Sequence, residues 1–460
     1  MDCTRKSKTL SVFILVFSTA AIGALNIQGE HVYAAQDIQL GLRTFDQGPL
    51  GLENGTDAGF ILYTPMFSFD TYLINRNGTV INTWQSDYLP GLSAYNLPNG
   101  DILRPKRLNL EQGGSGGIEE FSPDGQLIWD YIYYSFNNYT THHDICPMPN
   151  GNVLALSYVY LSYSELIDLG RDPSITPAGG MKLEKIIEVN PIGPTSGKIV
   201  WTWDSRDHLI QDFIPEKPNY GVVGNHPELL DINYVDGSDD DLFHCNSIDY
   251  NEYTDQILVS SRNFNEVWIV NHSNGYLMYR FGNPAAYHGP GSQVFYWQHD
   301  ATWIIQDGKS EGDVLVFNNG VGRGFTTIDE INTAMNHLVW SYTYPGFFIP
   351  MFGGAQRLKS GNTLIDDTSK FYEVTPQQDV VWQYAPPNGN NIFKIDFILP
   401  SENQVDCQGS ISQTKVTPGT SIIGSFVVHD KSQYPLYWQI SDYPEWGVWH
   451  FNALSGITTN

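Results

Sequence analysis

The apolar and polar positions of this chain fall into two phrases that recur along its length. The first is an apolar strand, a turn, and a second strand ending in an aromatic residue. It reads YLINRNGTVINTW from Tyr72, IEEFSPDGQLIWDY from Ile118, IIEVNPIGPTSGKIVWTW from Ile186 and VWIVNHSNGYLMYRF from Val267. A degenerate copy, TTIDEINTAMNHLVWSY, starts at Thr326, and the last, KFYEVTPQQDVVWQY, at Lys370. The aromatic ends are Trp84, Trp129, Trp201, Tyr279, Trp340 and Trp382. Asn-Gly, Asp-Gly or related residues fill the turns, where a tight hairpin needs left-handed backbone angles. The second phrase is another hairpin: AYNLPNGDIL, HHDICPMPNGNVLAL, HCNSIDYNEYTDQILVSS, HDATWIIQDGKSEGDVLVF and GAQRLKSGNTLI.

Two hairpins in succession make a four-stranded antiparallel unit. Such units repeating every roughly 40 to 75 residues, with variable insertions, predict an all-β six-bladed β-propeller. An open sandwich is the alternative, but sandwiches rarely repeat a motif so literally. If the second phrase supplies the two inner strands, the chain begins inside a blade. GFILYTP and YLINRNGTVINTW then need an inner strand from the far end, near FKIDFIL from Phe393. That sharing joins the termini and removes the free sheet edge.

Composition agrees. The 43 Gly and 26 Pro among 460 residues argue against long helices, and the aromatic content of 13% fits a packed globular chain. The formal net charge of −26 excludes the basic footprint that nucleic-acid binding requires. Arg5, Lys6 and Lys8 precede an apolar run from Leu10 to Leu25, so residues 1–35 read as an export signal cleaved after Ala24 or Ala35. An uncleaved anchor is the alternative. Residues 36–402 are assigned to the propeller and 403–460 to a C-terminal β extension packed on it. No later segment is apolar enough to span a bilayer, so the expected localisation is secreted, periplasmic or otherwise extracytoplasmic, with no stable membrane insertion after cleavage. Cys146, Cys245 and Cys407 remain beyond the signal, an odd number that permits at most one internal disulfide.

The chemistry is suggested by position. His143, His244 and His299 open the inner strand of three successive blades, where Leu92 and Gly353 stand in two others. Inner strands start around one mouth of a propeller channel, so histidines distant in sequence should converge. Imidazole serves as nucleophile, acid, base or metal ligand. Inheritance within the repeat, ordinary packing and a three-histidine zinc site are the competing readings. Arg262 taken alone reads as a salt-bridge residue. Asp144 and Asp300 follow two of the histidines and, by strand alternation, should turn away from the channel in a structural role. Tyr95, Trp297, Trp303, Phe347 and Phe348 read as blade packing before they read as a pocket for an aromatic ring.

The stretches HHDICPMPNGN, FHCNSIDYNEYTDQILVSSRNFNEVWIVN and YWQHDATWI with GDVLVFNNG resemble the bacterial arylsulfate sulfotransferase family. The likeness spans roughly residues 60 to 400. It implies a six-bladed propeller that moves a sulfuryl group from an aryl sulfate to a phenol without a nucleotide donor and without a cofactor or metal. It also implies roles. His299 in the QHD motif is the nucleophile, transiently sulfated in a ping-pong reaction. His143, His244 and Arg262 bind and polarise the sulfuryl oxygens, and Asn246 is a further binding candidate. His142 competes with His143 for its role. The expected partners are therefore a small-molecule aryl sulfate and a phenol; the oligomeric state is left open. Larger family members carry an N-terminal β-domain that is absent or reduced here. A non-catalytic ligand-binding propeller, or a metal-dependent hydrolase or lyase on the same histidines, are the rival functions.

Overall fold

A computed structural model of the chain describes residues 56–57, 59–108, 114–306, 309–387 and 391–399, together with seven strands, Leu10–Phe17, Gly41–Thr44, Val405–Gln408, Ser421–Asp430, Leu436–Asp442, Val448–Phe451 and Ser455–Thr458. Contacts divide it into one unit of Gly51–Asn96 and Ile102–Ile398 and another of Met1–Leu50, Leu97–Asp101 and Leu399–Asn460. The first is a six-bladed β-propeller. Blade 1 runs from Tyr95 to Ile132, blade 2 from Tyr134 to Asp204, blade 3 from Cys245 to Phe281, blade 4 from His299 to Tyr342 and blade 5 from Gly354 to Tyr384. Blade 6 is shared: Ile392–Ile398 is its inner strand and pairs antiparallel with Phe60–Pro65, followed by Asp70–Asn75 and Val80–Gln85. The seam expected at FKIDFIL is where the chain closes.

In the second unit, Leu10–Phe17 pairs with Ser421–Asp430 and Val448–Phe451, and Gly41–Thr44 pairs with Leu436–Asp442. The proposed cleavage points, Ala24 and Ala35, lie outside the described residues.

Each blade's outer hairpin contains one left-handed residue: Gly78, Gly125, Gly193, Gly275, Asn336 or Gln378. The two copies that lack glycine thus adopt the same turn, which is why the repeat survives its own degeneration. Blades pack through apolar faces. Between blades 2 and 3, Leu156, Ile186 and Trp203 belong to the same buried cluster as Ile248, Val259 and Trp268. Burying such a side chain stabilises by about 1.5–3 kcal/mol, so these faces outweigh any single hydrogen bond between blades, worth about 1 kcal/mol.

Hydrogen bonds set the register between blades at two radii. At the rim, an aromatic donor on each outer strand reaches the outer turn of the next blade. Trp84 Nε1 donates to Ser122 O (2.8 Å), Trp129 to Ser196 O (2.9 Å), Trp203 to Gly275 O (3.0 Å), Trp340 to Pro376 O (3.1 Å) and Trp382 to Arg76 O (2.8 Å). The hydroxyl of Tyr279 makes the equivalent bond to Asn336 Oδ1 (3.0 Å). In blade 2 the donor is Trp203 rather than the expected Trp201. Trp203 stands two residues further along the outer strand, and Trp201, opposite Glu188, packs on His272 instead.

Near the axis, an inner-strand N–H of one blade is accepted by a side chain of the blade before it. Ile248 N donates to Asp144, Ala301 N to Ser247, Trp303 N to Asp249, Ala355 N to Asp300, Phe397 N to Gln356 and Asn96 N to Asp396. These bonds occupy backbone donors that a sheet edge would otherwise leave open. Asp144 and Asp300 are therefore structural, but they do not turn outward. Both meet the ammonium of Lys394 from the shared blade, and Tyr95 OH donates to Asp144 at 2.6 Å. Tyr95 belongs to this buried knot.

Candidate functional site

The inner strands of blades 2, 3 and 4 begin with irregular turns that aim their first side chains. His143 and His244 are left-handed (φ 47° and 48°), as are Trp297 and Asp300 on either side of His299 (φ 57° and 43°). The ladders skip at the same points, between Thr141 and Ile145, Cys245 and Ser247, and His299 and Ala301. Positive φ is costly for bulky residues and persists where the surroundings over-determine it. Leu92, Phe352 and Gly353 take positive φ at the corresponding points of blades 1 and 5, so half the ring carries histidine and the rest carries apolar residues or glycine.

The structure brings His143, His244, Arg262 and His299 into one cluster. The rings of His143 and His244 are 4.7 Å apart, edge to face. Arg262 Nη1 donates to His244 Nε2 at 3.2 Å, and its guanidinium lies 4.4 Å above the Trp297 ring. Phe393, from the shared blade, stands 6.2 Å from the His143 ring and 6.1 Å from that of His299. Asn246 sits behind this layer: its Nδ2 donates to Gln298 O at 2.8 Å, supporting the backbone that precedes His299.

The tautomer of His299 is legible from its neighbours. Asn319 Nδ2 donates to both Ile349 O and Phe352 O at 2.8 Å. Only the amide nitrogen can face two carbonyls, so Oδ1 faces His299 Nδ1, at 2.8 Å. Trp297 O, a second acceptor, is 3.1 Å from the same nitrogen. Nδ1 therefore carries the proton, and Nε2 presents a lone pair with no protein hydrogen bond among the described residues. Burial pushes the His299 imidazolium down to about 3, with Arg262 and His244 adding to the effect and the Asn319 bond opposing it. Burial and the neighbouring His244 also push His143 well below the ordinary histidine range.

Each of the other two histidines has a carboxylate on its far side. His244 Nδ1 is 2.9 Å from Asp241 Oδ2, which also accepts from Tyr158 OH at 2.7 Å. Burial alone would raise the Asp241 carboxyl, but His244 and these contacts hold it well below the usual carboxylate range. His143 Nδ1 faces His142 Nδ1 at 2.8 Å, and His142 Nε2 meets Glu184 Oε1 at 2.9 Å. His142 is thus enclosed, stacked 3.5 Å from the Tyr158 ring, while His143 faces His244. Burial raises the Glu184 carboxyl, and His142 works against that.

Among the described residues no three His, Cys, Asp or Glu side chains are placed to hold a metal ion. Cys146 and Cys245 are buried free thiols; Cys3 and the Cys407 side chain lie outside the described residues. Phe347 and Trp303 are buried in blade packing, whereas Trp297 and Phe348 are each 42% exposed.

The sequence profile of the arylsulfotransferase (ASST) family matches residues 71–403. The chain belongs to that family. The matched stretch takes in every candidate residue above, and membership of the arylsulfotransferases supports sulfotransferase activity. No curated protein sequence matches. Similar solved structures include a Bacteroides caccae protein of unknown function, at 14% identity and TM-score 0.46, covering 74% of this chain and 99% of that one. Apo AztD from Citrobacter koseri aligns at 7% identity and TM-score 0.39, covering 75% and 98%. A streptogramin B lyase aligns at 10% identity and TM-score 0.38, covering 91% and 98%. No helix among the described residues is long and apolar enough to cross a membrane.

Within the arylsulfotransferase chain, sequence motifs pointed to the histidines and the arginine but not to Asn319, Glu184, Asp241 or Lys394. Asn319 stands in the second-blade-strand motif FNNG, yet only the fold brings it to the His299 ring.

Proposed function

We propose that the chain moves a sulfuryl group from an aryl sulfate to a phenol through a sulfated His299. The observation that carries this reading is the bare Nε2 of His299, opposite an Nδ1–H held by Asn319 and beside Arg262. In the first half-reaction the Nε2 lone pair attacks sulfur. The N–S bond forms, the S–O bond breaks, and the aryloxide leaves with its electron pair. The imidazole ring then carries a positive charge balanced by its own sulfonate, and Asn319 Oδ1 stabilises the Nδ1–H that shares that charge. In the second half-reaction a phenol oxygen attacks sulfur, the N–S electrons return to Nε2, and the phenol proton is released.

Sulfuryl transfer, like phosphoryl transfer, spreads charge over non-bridging oxygens, and catalysis comes from donors already in place. Arg262 offers a planar fork of donors. One of them donates to His244 Nε2, a bond that an arriving sulfonate oxygen replaces. A nucleophile that burial keeps uncharged is ready at neutral pH. The Arg262 guanidinium also offers an anionic substrate a local attraction that the acidic chain as a whole does not. Export follows the same reading, with residues 1–35 as the signal; the N-terminal sequence of the mature protein tests it, and a chain retaining Leu10–Phe17 overturns it.

The test of the chemistry is incubation with 4-nitrophenyl sulfate, followed by mass analysis of tryptic peptides. The expected result is a sulfate-mass adduct on His299 that phenol discharges. A His299→Ala variant that turns over at the wild-type rate overturns the mechanism.

A further inference from the structure

The cluster contains a hydrogen-bonded chain that sulfur transfer as described does not use. Glu184 Oε1, His142 Nε2, His142 Nδ1 and His143 Nδ1 follow one another at 2.9 Å and 2.8 Å, and His142 and Glu184 are fully buried. The chain crosses the blade from strand Met181–Ile192 to strand Tyr139–Pro147 and ends at the ring that faces His244. Facing nitrogens at 2.8 Å require one donor and one acceptor, so a proton lies between the two rings and can belong to either. The groups packed around it are Tyr158 stacked on His142, Cys245 beside Glu184, Asp241 bonded to Tyr158, and His244 against His143.

We propose that Glu184, His142 and His143 form the proton store of the ping-pong reaction, giving a proton to the departing aryloxide and recovering it from the incoming phenol. This rests on the sulfotransferase reading and adds residues to it. In the loaded state His142 is protonated on both nitrogens against the Glu184 carboxylate, and its Nδ1–H donates to His143 Nδ1. His143 then presents Nε2–H to the site. As the S–O bond breaks, that proton passes to the aryloxide oxygen, and the His142 Nδ1 proton moves to His143 Nδ1. His142 keeps its Nε2–H on Glu184. The phenol of the second half-reaction protonates His143 Nε2 as its oxygen bonds to sulfur, and the Nδ1 proton returns to His142. One proton leaves and one returns, so the two half-reactions balance without drawing on solvent. Glu184 and His142 act through His143 and are positioning residues; His143 touches the leaving oxygen.

A stored proton matters most when the leaving aryloxide is basic. The experiment compares phenyl sulfate with 4-nitrophenyl sulfate as donors, for wild type, Glu184→Gln and His142→Phe, with near-ultraviolet circular dichroism as the check on folding. Gln keeps the shape of Glu184, and Phe keeps the stacking on Tyr158. The expected result is a kcat fall of about a hundredfold or more on phenyl sulfate, against about threefold or less on 4-nitrophenyl sulfate, whose phenolate leaves unaided. Equal losses on both donors mean a structural role and overturn the proposal, as does no loss on either. Failure of the sulfotransferase reading is separate: wild type would then neither form the His299 adduct nor release 4-nitrophenol.

Discussion

Lys394 Nζ stands 2.7 Å from Asp300 Oδ1 and 3.2 Å from Asp144 Oδ2, joining the last strand of the propeller to the residues that directly follow His299 and His143. Asp144 and Asp300 in turn accept backbone N–H groups of blades 3 and 5, and Asp144 accepts Tyr95 OH of blade 1. One buried ammonium thus touches a network that reaches all six blades. Its neighbour Phe393 lies against both histidine rings. Replacing Lys394 by Met leaves buried carboxylates without their cation, and breaking such a pair costs about 3–5 kcal/mol. Urea unfolding at pH 7 should show a loss of that order, shrinking as acid protonates Asp300, whose carboxyl burial already raises.

Ending the chain after residue 391 removes the inner strand of blade 6 together with Lys394 and Phe393. Phe60–Pro65 then becomes an open edge, and the Asp144–Asp300 pair loses its counter-ion. The truncated protein should lose its near-ultraviolet circular dichroism and aggregate, whereas a propeller of independent blades would keep most of that signal.

The His299 free base should persist deep into acid. Its folded value is pushed down to about 3, below the ordinary histidine value of about 6.5, so between those limits the unfolded chain binds a proton that the native one does not. His299 therefore lowers stability as pH falls through this window and raises it as pH climbs. A profile of kcat/KM with 4-nitrophenyl sulfate should show no loss from protonation of His299 until pH approaches 3. An acid limb near 6.5 that moves to higher pH in Asn319→Asp would contradict the assignment, because a carboxylate at that position raises the proton affinity of the ring.

Arg262→Gln removes the forked cation but retains an amide. Loss of one preorganised donor to a developing oxyanion costs about 10²–10³ in kcat. The fall should appear in kcat on aryl sulfates. Arg262→Lys should recover only part of it, because a point charge cannot reproduce the fork or the stacking on Trp297.

Asp249 offers a stability test away from the chemistry. Burial pushes its carboxyl up to about 6, while Trp303 N and Tyr250 N donate to it. Below about pH 4 both folded and unfolded chains carry it protonated; above that the unfolded chain ionises first, so stability falls as pH rises toward 6. Asp249→Asn should flatten that part of the curve. Denaturant midpoints between pH 4 and 7 would show the wild type losing stability faster than the variant if burial dominates.

Much of this molecule is written in local pattern. The six outer hairpins announce themselves through Asn-Gly and Asp-Gly turns and through terminal aromatics. The strand at Phe393 is predictable because an unpaired first blade needs it. His143, His244 and His299 share a repeat position, so their convergence follows from the ring alone. Other features depend on contacts between distant segments. Trp203 makes the rim bond although Trp201 stands at the register position of Trp129, a difference that sequence spacing does not encode. Lys394 reads as a polar interruption in an apolar strand until two aspartates from other blades surround it. Asn319 and Glu184 look like ordinary strand-end and strand residues, and their importance lies in which nitrogen each one faces. His142 and His143 are adjacent in sequence and opposite in role, and a left-handed turn at His143 separates them.

The contact between Lys394 and Asp144 spans 250 residues of chain. Closing so long a loop is slow and offers nothing in return until the final strand arrives. Until that strand arrives the ring stays open, and His143 and His299 lack the wedge of Phe393 between them. The segment of the propeller made last is thus the one that both closes the sheet and completes the surroundings of the two histidines.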